Sequence, residues 1–190
     1  LVIGNAAYRE APLKNPVNDA RSVGARLREL GFDVVLRENA TRKTMGDALA
    51  EFTRKLAPGG VALVYYAGHG VQVRGRNYLI PVDMTLQSET DLRFQAVDVS
   101  ALTDELDLGQ SRVSFLILDA CRNNPLSGSG KSLGGLGKGL AATSAPSGFM
   151  VVYAAGEGQQ ALDNLGGRDR DPNSVFTRSL IPALQAKGKS

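Results

Sequence analysis

The sequence predicts an α/β protein with a mainly parallel β-sheet and helices on both faces. Short apolar runs rich in Val, Leu, Ile, Tyr and Phe occupy residues 61–67, 113–118 and 149–155. Because they lack polar alternation, these runs are typical of strands buried on both faces, as in parallel sheets covered by helices. Segments with the helical spacing of apolar residues separate them, and such alternation of strands and helices indicates a parallel α/β sheet.

The first helix and its flanking strands are predicted from their boundary residues. A strand at residues 1–5 is followed by Asn15 and Pro16, an N-cap residue and a proline at the first helical position. Gly31 ends this helix, and a second strand is predicted at residues 32–36. The apolar face of the helix consists of Val17, Ala20, Val23, Leu27 and Leu30.

The middle of the chain carries two further helices and a hairpin. Thr41 is the expected N-cap of a second helix, which the Pro-Gly-Gly sequence at residues 58–60 ends. Residues 71–80 predict a β-hairpin with its turn at residues 74–77. A third helix is predicted at residues 99–108. The apolar face of the second helix consists of Met45, Leu49, Phe52 and Leu56.

The last third of the chain begins with a change of composition. Residues 126–147 are largely Gly, Ser, Ala and Lys with hardly any large apolar side chain, which predicts a loop. A strand at residues 149–155 and a helix at residues 173–186 follow it.

Composition limits the class of protein. A chain of 190 residues fits one domain and can bury a core without crosslinks, and its single Cys excludes an internal disulfide. The net charge of +3 comes from scattered Lys and Arg, which predicts a solvated surface and no nucleic-acid partner. No apolar stretch approaches the ~18 residues that a membrane span needs. Localisation stays open.

His69 and Cys121 are the only histidine and cysteine, and each follows an apolar run. Ligands bind at the carboxyl ends of parallel strands, so we expect the two residues to meet at one edge of the sheet. An imidazole can take the proton of a thiol, activate it as a nucleophile, and later protonate a leaving amine. The pair therefore predicts a cysteine nucleophile with a histidine base.

Small residues beside this pair fit the same chemistry. The backbone N–H groups of Gly70 and Cys121 are candidates for an oxyanion hole, and Gly68 and Ala120 leave room for a peptide. Taken singly, the cysteine is as well explained as a buried structural residue and the histidine as an incidental loop residue. Their occurrence together at neighbouring strand ends favours catalysis.

Two segments carry a resemblance to a known family. Tyr-Tyr-Ala-Gly-His-Gly at 65–70 and Leu-Asp-Ala-Cys-Arg at 118–122 resemble the His-Gly and Ala-Cys-Arg motifs of the caspase-like cysteine peptidases, and most of all those of bacterial metacaspases and paracaspases. Residues 18–20, 153–155 and 174–180 extend the resemblance over nearly the whole chain. It implies the caspase-hemoglobinase fold, a three-layer sandwich with a mainly parallel sheet.

The resemblance also implies a division of the chain. Residues 1–190 would form one catalytic domain, with a large-subunit-like region at 1–125, a linker at 126–148 and the start of a small-subunit-like region at 149–190. The family fold continues with another helix and a last strand, so we expect an incomplete sheet. Lys131 and Lys138 in the linker are candidate sites of self-cleavage, and an uncut flexible loop is the alternative.

The resemblance to metacaspases and paracaspases implies cleavage after Arg or Lys, since acidic residues line their first specificity pocket. Asp19 matches the metacaspase pattern, Asp119 replaces the caspase glutamine, and Asp163 aligns with a caspase pocket arginine. Carboxylates suit the fork of a guanidinium. Each has a structural alternative: Asp19 in the first turn of a helix, Asp119 on a loop amide and Asp163 in a turn.

Metals, cofactors and nucleotides are not expected. Many metacaspases bind calcium through acidic residues after the histidine, but residues 71–77 contain none, and the next acidic residues are Asp83, Glu89 and Asp91. Residues 128–132 suggest a phosphate-binding loop, but Pro125 stands where that motif requires glycine. We therefore expect a metal-free cysteine endopeptidase acting on proteins or peptides with a basic P1 residue. The alternative is an inactive caspase-like interaction module.

Overall fold

The computed structural model describes residues 1–85, 88–121, 140, 148–154 and 169–184, with only the backbone of Cys121. These residues form seven strands and five helices. The strands are β1 (Val2–Gly4), β2 (Leu36–Glu38), β3 (Val61–Val73), β4 (Arg76–Leu79), β5 (Val97–Asp98), β6 (Val113–Cys121) and β7 (Phe149–Tyr153). The helices are α1 (Pro16–Glu29), α2 (Arg42–Arg54), α3 (Glu89–Gln95), α4 (Val99–Leu108) and α5 (Val175–Ala183).

The seven strands form one sheet that is mainly parallel. Strands β2, β1, β3, β6 and β7 pair in that order, and every one of these pairs is parallel. Strand β4 is antiparallel to the end of β3, and β5 is antiparallel to β4. The prediction of a mainly parallel α/β sheet is confirmed.

The two faces of the sheet are covered by different helices. Along β3, Val64 and Tyr66 join the core under α2 and α4, whereas Leu63 and Tyr65 join the core under α1 and α5. Successive strand side chains point to opposite faces, so each face receives every second residue. The result is the expected sandwich of helices, sheet and helices.

Close packing joins α1 to the sheet at Gly4. A Cβ atom at this position would overlap the carbonyl oxygen of Pro16 and lie 2.6 Å from the Cβ of Ala20. Only glycine allows this approach of β1 to the first turn of α1. The contact fixes the position of this turn relative to β1. Asp19 lies in the same turn and is buried.

Four local features differ from the sequence prediction. Strand β2 begins at Leu36, where the expected strand ended, because its pairing with Val2 of β1 sets the register. Helix α3 and strand β5 were not predicted, although the capping box of Ser88 and Asp91 is a readable helix signal. Asn15 occupies the N-cap position of α1 without a capping hydrogen bond from its side chain. The hairpin is present, but β3 continues without a break through His69.

Two further findings concern the described part of the chain. Within it, no helix has both the length and the apolar character needed to cross a bilayer. Within the same residues, no group of three or more His, Cys, Asp or Glu side chains is arranged to hold a metal ion.

Candidate active site

His69 and Cys121 lie side by side in the sheet. Strands β3 and β6 are parallel, and their register pairs His69 with Cys121, the last residue of β6. Neighbouring strands are about 4.8 Å apart, so the two backbones are in direct contact. The sequence predicted that His69 follows the end of a strand, but β3 continues to Val73, so the histidine lies within the strand. Strand β3 pairs with β6 as far as His69 and with β4 from Gly70 onwards.

Two tyrosine hydroxyls hold the backbone of His69. The His69 N–H donates to the Tyr8 hydroxyl over 2.9 Å, and the Tyr66 hydroxyl donates to the His69 carbonyl oxygen over 2.8 Å. The two hydroxyls are 3.1 Å from each other, and both lie within 3.1 Å of the Ile80 carbonyl oxygen. Burial, and next the neighbouring Tyr8, raises the pKa of Tyr66 well above its usual value, so this hydroxyl keeps its proton.

Gly68 makes room for these hydroxyls. Its φ is +154°, and a Cβ atom there would lie 2.6 Å from the Tyr8 oxygen and 2.7 Å from the Tyr66 oxygen. Contacts this short are repulsive, so a side chain at position 68 would displace at least one tyrosine. The glycine before the histidine is therefore a requirement of the site's own packing.

The imidazole of His69 is oriented by a backbone carbonyl. Its Nε2 lies 2.7 Å from the Ala11 oxygen, and its ring centroid is 4.3 Å from that of Tyr8 with the planes tilted by 49°. A carbonyl oxygen only accepts hydrogen bonds, so Nε2 carries a hydrogen. In the neutral ring, the basic nitrogen is then Nδ1. His69 is 6% exposed, so the ring is held in a nearly closed environment.

The loop that supplies this carbonyl is itself tied to the sheet. The N–H groups of Ala6 and Ala7 both donate to the Asn39 side-chain oxygen over 2.9 Å, and the Leu13 N–H donates to the Ala6 carbonyl. Sequence reasoning missed Ala11 and Tyr8. No side-chain signal could have identified Ala11, because any residue presents a carbonyl oxygen.

Gly70, the candidate oxyanion donor, lies one residue beyond the His69–Cys121 pair. It is the register partner of Leu79 in β4. A Cβ atom at Gly70 would lie 3.0 Å from the Leu140 side chain and 3.2 Å from the Ala120 Cβ. The backbone at this point is therefore closely packed, and a larger residue would push against both neighbours.

Asp119 lies two residues before Cys121 and faces α5. Along β6 it shares a face with Ile117, which belongs to the core under α1 and α5. Its Oδ2 accepts hydrogen bonds from the hydroxyls of Ser174 at 2.6 Å, Thr177 at 3.0 Å and Tyr65 at 3.2 Å. Asp119 is 7% exposed, so hydroxyl groups provide much of its solvation.

Asp19, in the first turn of α1, also contacts Ser174. Its Oδ1 accepts a hydrogen bond of 2.9 Å from the Ser174 backbone N–H, and the residue is 1% exposed. Ser174 is the N-cap of α5, and its hydroxyl oxygen also accepts from the Thr177 N–H over 3.0 Å. The N-cap residue of α5 thus contacts both of the predicted pocket carboxylates, a role that the sequence did not reveal.

The pKa of Tyr65 also indicates that Asp19 and Asp119 lie close together. Burial raises the pKa of Tyr65 well above its usual value, and the negative charges of Asp119 and Asp19 raise it further. Both carboxylates therefore lie close enough to act on one hydroxyl, and Tyr65 remains a proton donor.

The remaining residues singled out in the sequence either lie outside the described residues or make local contacts. Asp163, Lys131 and Lys138 lie outside the described residues. The acids considered for calcium make local contacts: Asp83 accepts from the Arg42 N–H at 2.8 Å, Asp91 completes the α3 capping box, and Glu89 pairs with Arg74 at 3.0 Å.

Comparisons with known proteins identify the family of this chain. A family model of the caspase domain matches residues 1–190. Human mucosa-associated lymphoid tissue lymphoma translocation protein 1 is 35% identical over 123 residues, which cover 64% of this chain and 15% of that protein. Its mouse homologue is 34% identical over 123 residues, covering 64% and 14%. The aligned part of this chain thus spans less than a sixth of either relative.

A solved structure has a similar fold. The crystal structure of protein GSU0716 from Geobacter sulfurreducens aligns with a TM-score of 0.65, covering 97% of this chain and 80% of that one. The identity is 16%, so the likeness concerns the fold alone.

Proposed function

Because the chain belongs to the caspase domain family of peptidases, we propose that it is a cysteine endopeptidase that cleaves after Arg or Lys. Cys121 is the proposed nucleophile and His69 the proposed base. The observation that carries this proposal is the register of β3 and β6, which makes the only His and the only Cys of the chain adjacent backbone partners.

The proposed mechanism begins with proton transfer from the Cys121 thiol to Nδ1 of His69. This nitrogen is the acceptor because Nε2–H points to the Ala11 carbonyl. The resulting imidazolium is stabilised by the same carbonyl dipole, since an N–H bond from a charged donor is stronger than a neutral one. The Ala11 carbonyl therefore favours formation of the thiolate.

The thiolate then attacks the carbonyl carbon of the scissile bond. The carbonyl oxygen becomes an oxyanion, which the N–H groups of Gly70 and Cys121 are proposed to bind. The imidazolium donates its proton to the leaving amine, and an acyl-enzyme thioester remains. Water, deprotonated by His69, hydrolyses the thioester and regenerates the thiol.

The proposed preference for a basic P1 residue rests on the paired carboxylates. Asp19 and Asp119 are buried and both contact Ser174, so two negative charges lie within a small region. A guanidinium or ammonium group would neutralise them, whereas a P1 aspartate would add a third negative charge to a poorly solvated site. Asp163 is proposed as a third acidic residue of this pocket.

The proposal is tested with an electrophilic peptide that carries Arg at P1 and with matched Arg, Lys and Asp reporter peptides. We expect labelling of the wild-type chain, no labelling of Cys121→Ala, and cleavage of the Arg and Lys reporters only. Labelling that survives Cys121→Ala, or a preference for the Asp reporter, would refute the proposal. A chain that binds the peptide without reacting would support an interaction module.

Self-processing is proposed as a second activity of the same site. Lys131 and Lys138 are basic residues in a segment rich in Gly and Ser, which suits a protease that cleaves after Lys. Intact mass measured after prolonged incubation should show cleavage at these residues in the wild-type chain and none in Cys121→Ala. Identical intact chains would exclude self-processing.

A further inference from the structure

Three hydroxyl groups converge on one oxygen of Asp119. The Ser174, Thr177 and Tyr65 oxygens lie 2.6, 3.0 and 3.2 Å from Oδ2. The Thr177 and Tyr65 oxygens are also 2.7 Å from each other. Ser174, Thr177 and Tyr65 are each at most 3% exposed. The carboxylate is therefore surrounded by protein donors.

A count of protons shows that Thr177 and Tyr65 act as a unit. Each hydroxyl has one proton. If Tyr65 donates to Thr177, then Thr177 donates to Asp119; if Thr177 donates to Tyr65, then Tyr65 donates to Asp119. In every arrangement at least one of the two, together with Ser174, donates to the carboxylate. Either residue can partly replace the other.

We propose that Ser174, Thr177 and Tyr65 are positioning residues that set the preference of this pocket for a positively charged P1 side chain. The inference rests on the function proposed above. The hydroxyls donate hydrogen bonds to Oδ2 of Asp119 and fix the rotation of the carboxylate, so that its second oxygen, Oδ1, has a constant direction. Ser174 aligns the second acid at the same time, because its N–H binds Asp19 while its hydroxyl binds Asp119.

This arrangement makes substrate preference depend on α5. Asp19 and Asp119 come from α1 and β6. Two of the three residues that orient them belong to the start of α5, Ser174 as its N-cap and Thr177 in its first turn, and the third, Tyr65, belongs to β3. Loss of the hydroxyls should weaken the recognition of charge more than the chemical step, since His69 is held by Tyr8, Tyr66 and Ala11 instead. A general loss of folding would reduce both.

The test compares an Arg reporter with the same peptide carrying citrulline, an uncharged analogue of arginine. Thr177→Val removes the hydroxyl and keeps the shape of a fully buried side chain. We expect the ratio of kcat/KM for Arg over citrulline to fall about fivefold through KM, because one of two interchangeable donors to a charged acceptor is lost. Thr177→Ser should restore the ratio.

The double variant Thr177→Val/Tyr65→Phe should lower the ratio by more than the product of the two single effects, because neither donor can then replace the other. Thr103→Val is the matched control. Thr103 is also a buried helical threonine, but its hydroxyl donates to the Ser100 carbonyl in α4. This control should leave the ratio unchanged.

The outcomes separate the inference from the proposed function. A wild-type chain that cleaves the Arg and citrulline reporters equally, or cleaves neither, overturns both. A selective wild type with an unchanged ratio in Thr177→Val and in the double variant overturns the positioning role alone. Equal losses for the two reporters would also overturn it. If thermal unfolding shows that Thr177→Val is not folded, Tyr65→Phe alone decides, and an unchanged ratio there overturns the inference.

Discussion

Tyr65 and Tyr66 are consecutive residues of β3, yet they stabilise two different regions. The Tyr66 hydroxyl binds the backbone of His69, whereas the Tyr65 hydroxyl binds the Asp119 carboxylate. Both are fully buried, and burial raises the pKa of both well above the usual value. Because strand side chains alternate between faces, one strand supports the proposed chemistry on one side and the proposed specificity on the other.

The two regions also differ in how much of the chain they require. His69 is held by Tyr8, Ala11 and Tyr66, all within 61 residues of it along the chain. The carboxylates are held by Ser174 and Thr177, up to 155 residues away. The groups that hold the base therefore come from the first half of the chain, whereas those that hold the carboxylates include the start of α5.

The largest expected effect comes from Gly68→Ala, which acts on the region of the base. The added methyl group would collide with the Tyr8 and Tyr66 hydroxyls. We expect a loss of about 2–4 kcal/mol in the free energy of unfolding, and a fall in kcat of roughly a hundredfold for every P1 residue, since small displacements of a catalytic group cost about that much. Chemical denaturation and reporter kinetics would measure both.

Gly46→Ala is the matched control for this substitution. Gly46 lies in α2, and a Cβ atom there would meet only the end of the Arg42 side chain at 4.0 Å. Alanine is the better helix former, so we expect a gain of about 0.5–1 kcal/mol and unchanged kinetics. A stable and fully active Gly68→Ala variant would contradict the packing described here.

Asp119→Asn is expected to have the next largest effect, on the region of the carboxylates. It keeps the shape of the side chain and removes the charge, and the surrounding hydroxyls can rotate to satisfy the amide. We expect kcat/KM for an Arg reporter to fall roughly thirtyfold, with a much smaller change for citrulline. Asp104→Asn on the exposed face of α4 is the control. An equal fall for both reporters would assign Asp119 a purely structural role.

Tyr66→Phe tests the separation of the two regions directly. The His69 carbonyl would lose one hydrogen-bond donor, and the loop carrying Ala11 would lose a contact through Tyr8. We expect kcat to fall about fivefold for Arg and citrulline alike, which corresponds to about 1 kcal/mol, the usual value of one hydrogen bond. A change in the Arg over citrulline ratio would show that the regions are coupled.

Chelation should have the smallest effect. Asp83, Glu89 and Asp91 already accept hydrogen bonds or pair with Arg74. Cleavage rates measured with excess EGTA and with millimolar calcium should therefore agree. A rate that calcium raises severalfold would contradict the expectation from the sequence that this chain needs no metal.

Much of the fold could be predicted because its signals are local. Unbroken apolar runs identified the strands that became β3, β6 and β7, and helical spacing with boundary residues identified α1 and α2. The α3 capping box was present in the sequence but was not recognised. The position of β2 was mispredicted because its apolar residues precede the stretch that pairs with β1.

The candidate site divides in the same way. The sequence by itself determined that one histidine and one cysteine follow buried strands of a caspase-like domain, because residue identity and periodicity are properties of short segments. Only the tertiary structure decided that the Ala11 carbonyl orients His69 and that Ser174 joins Asp19 to Asp119. These contacts use backbone groups and common hydroxyls, which acquire a partner only when distant segments pack together.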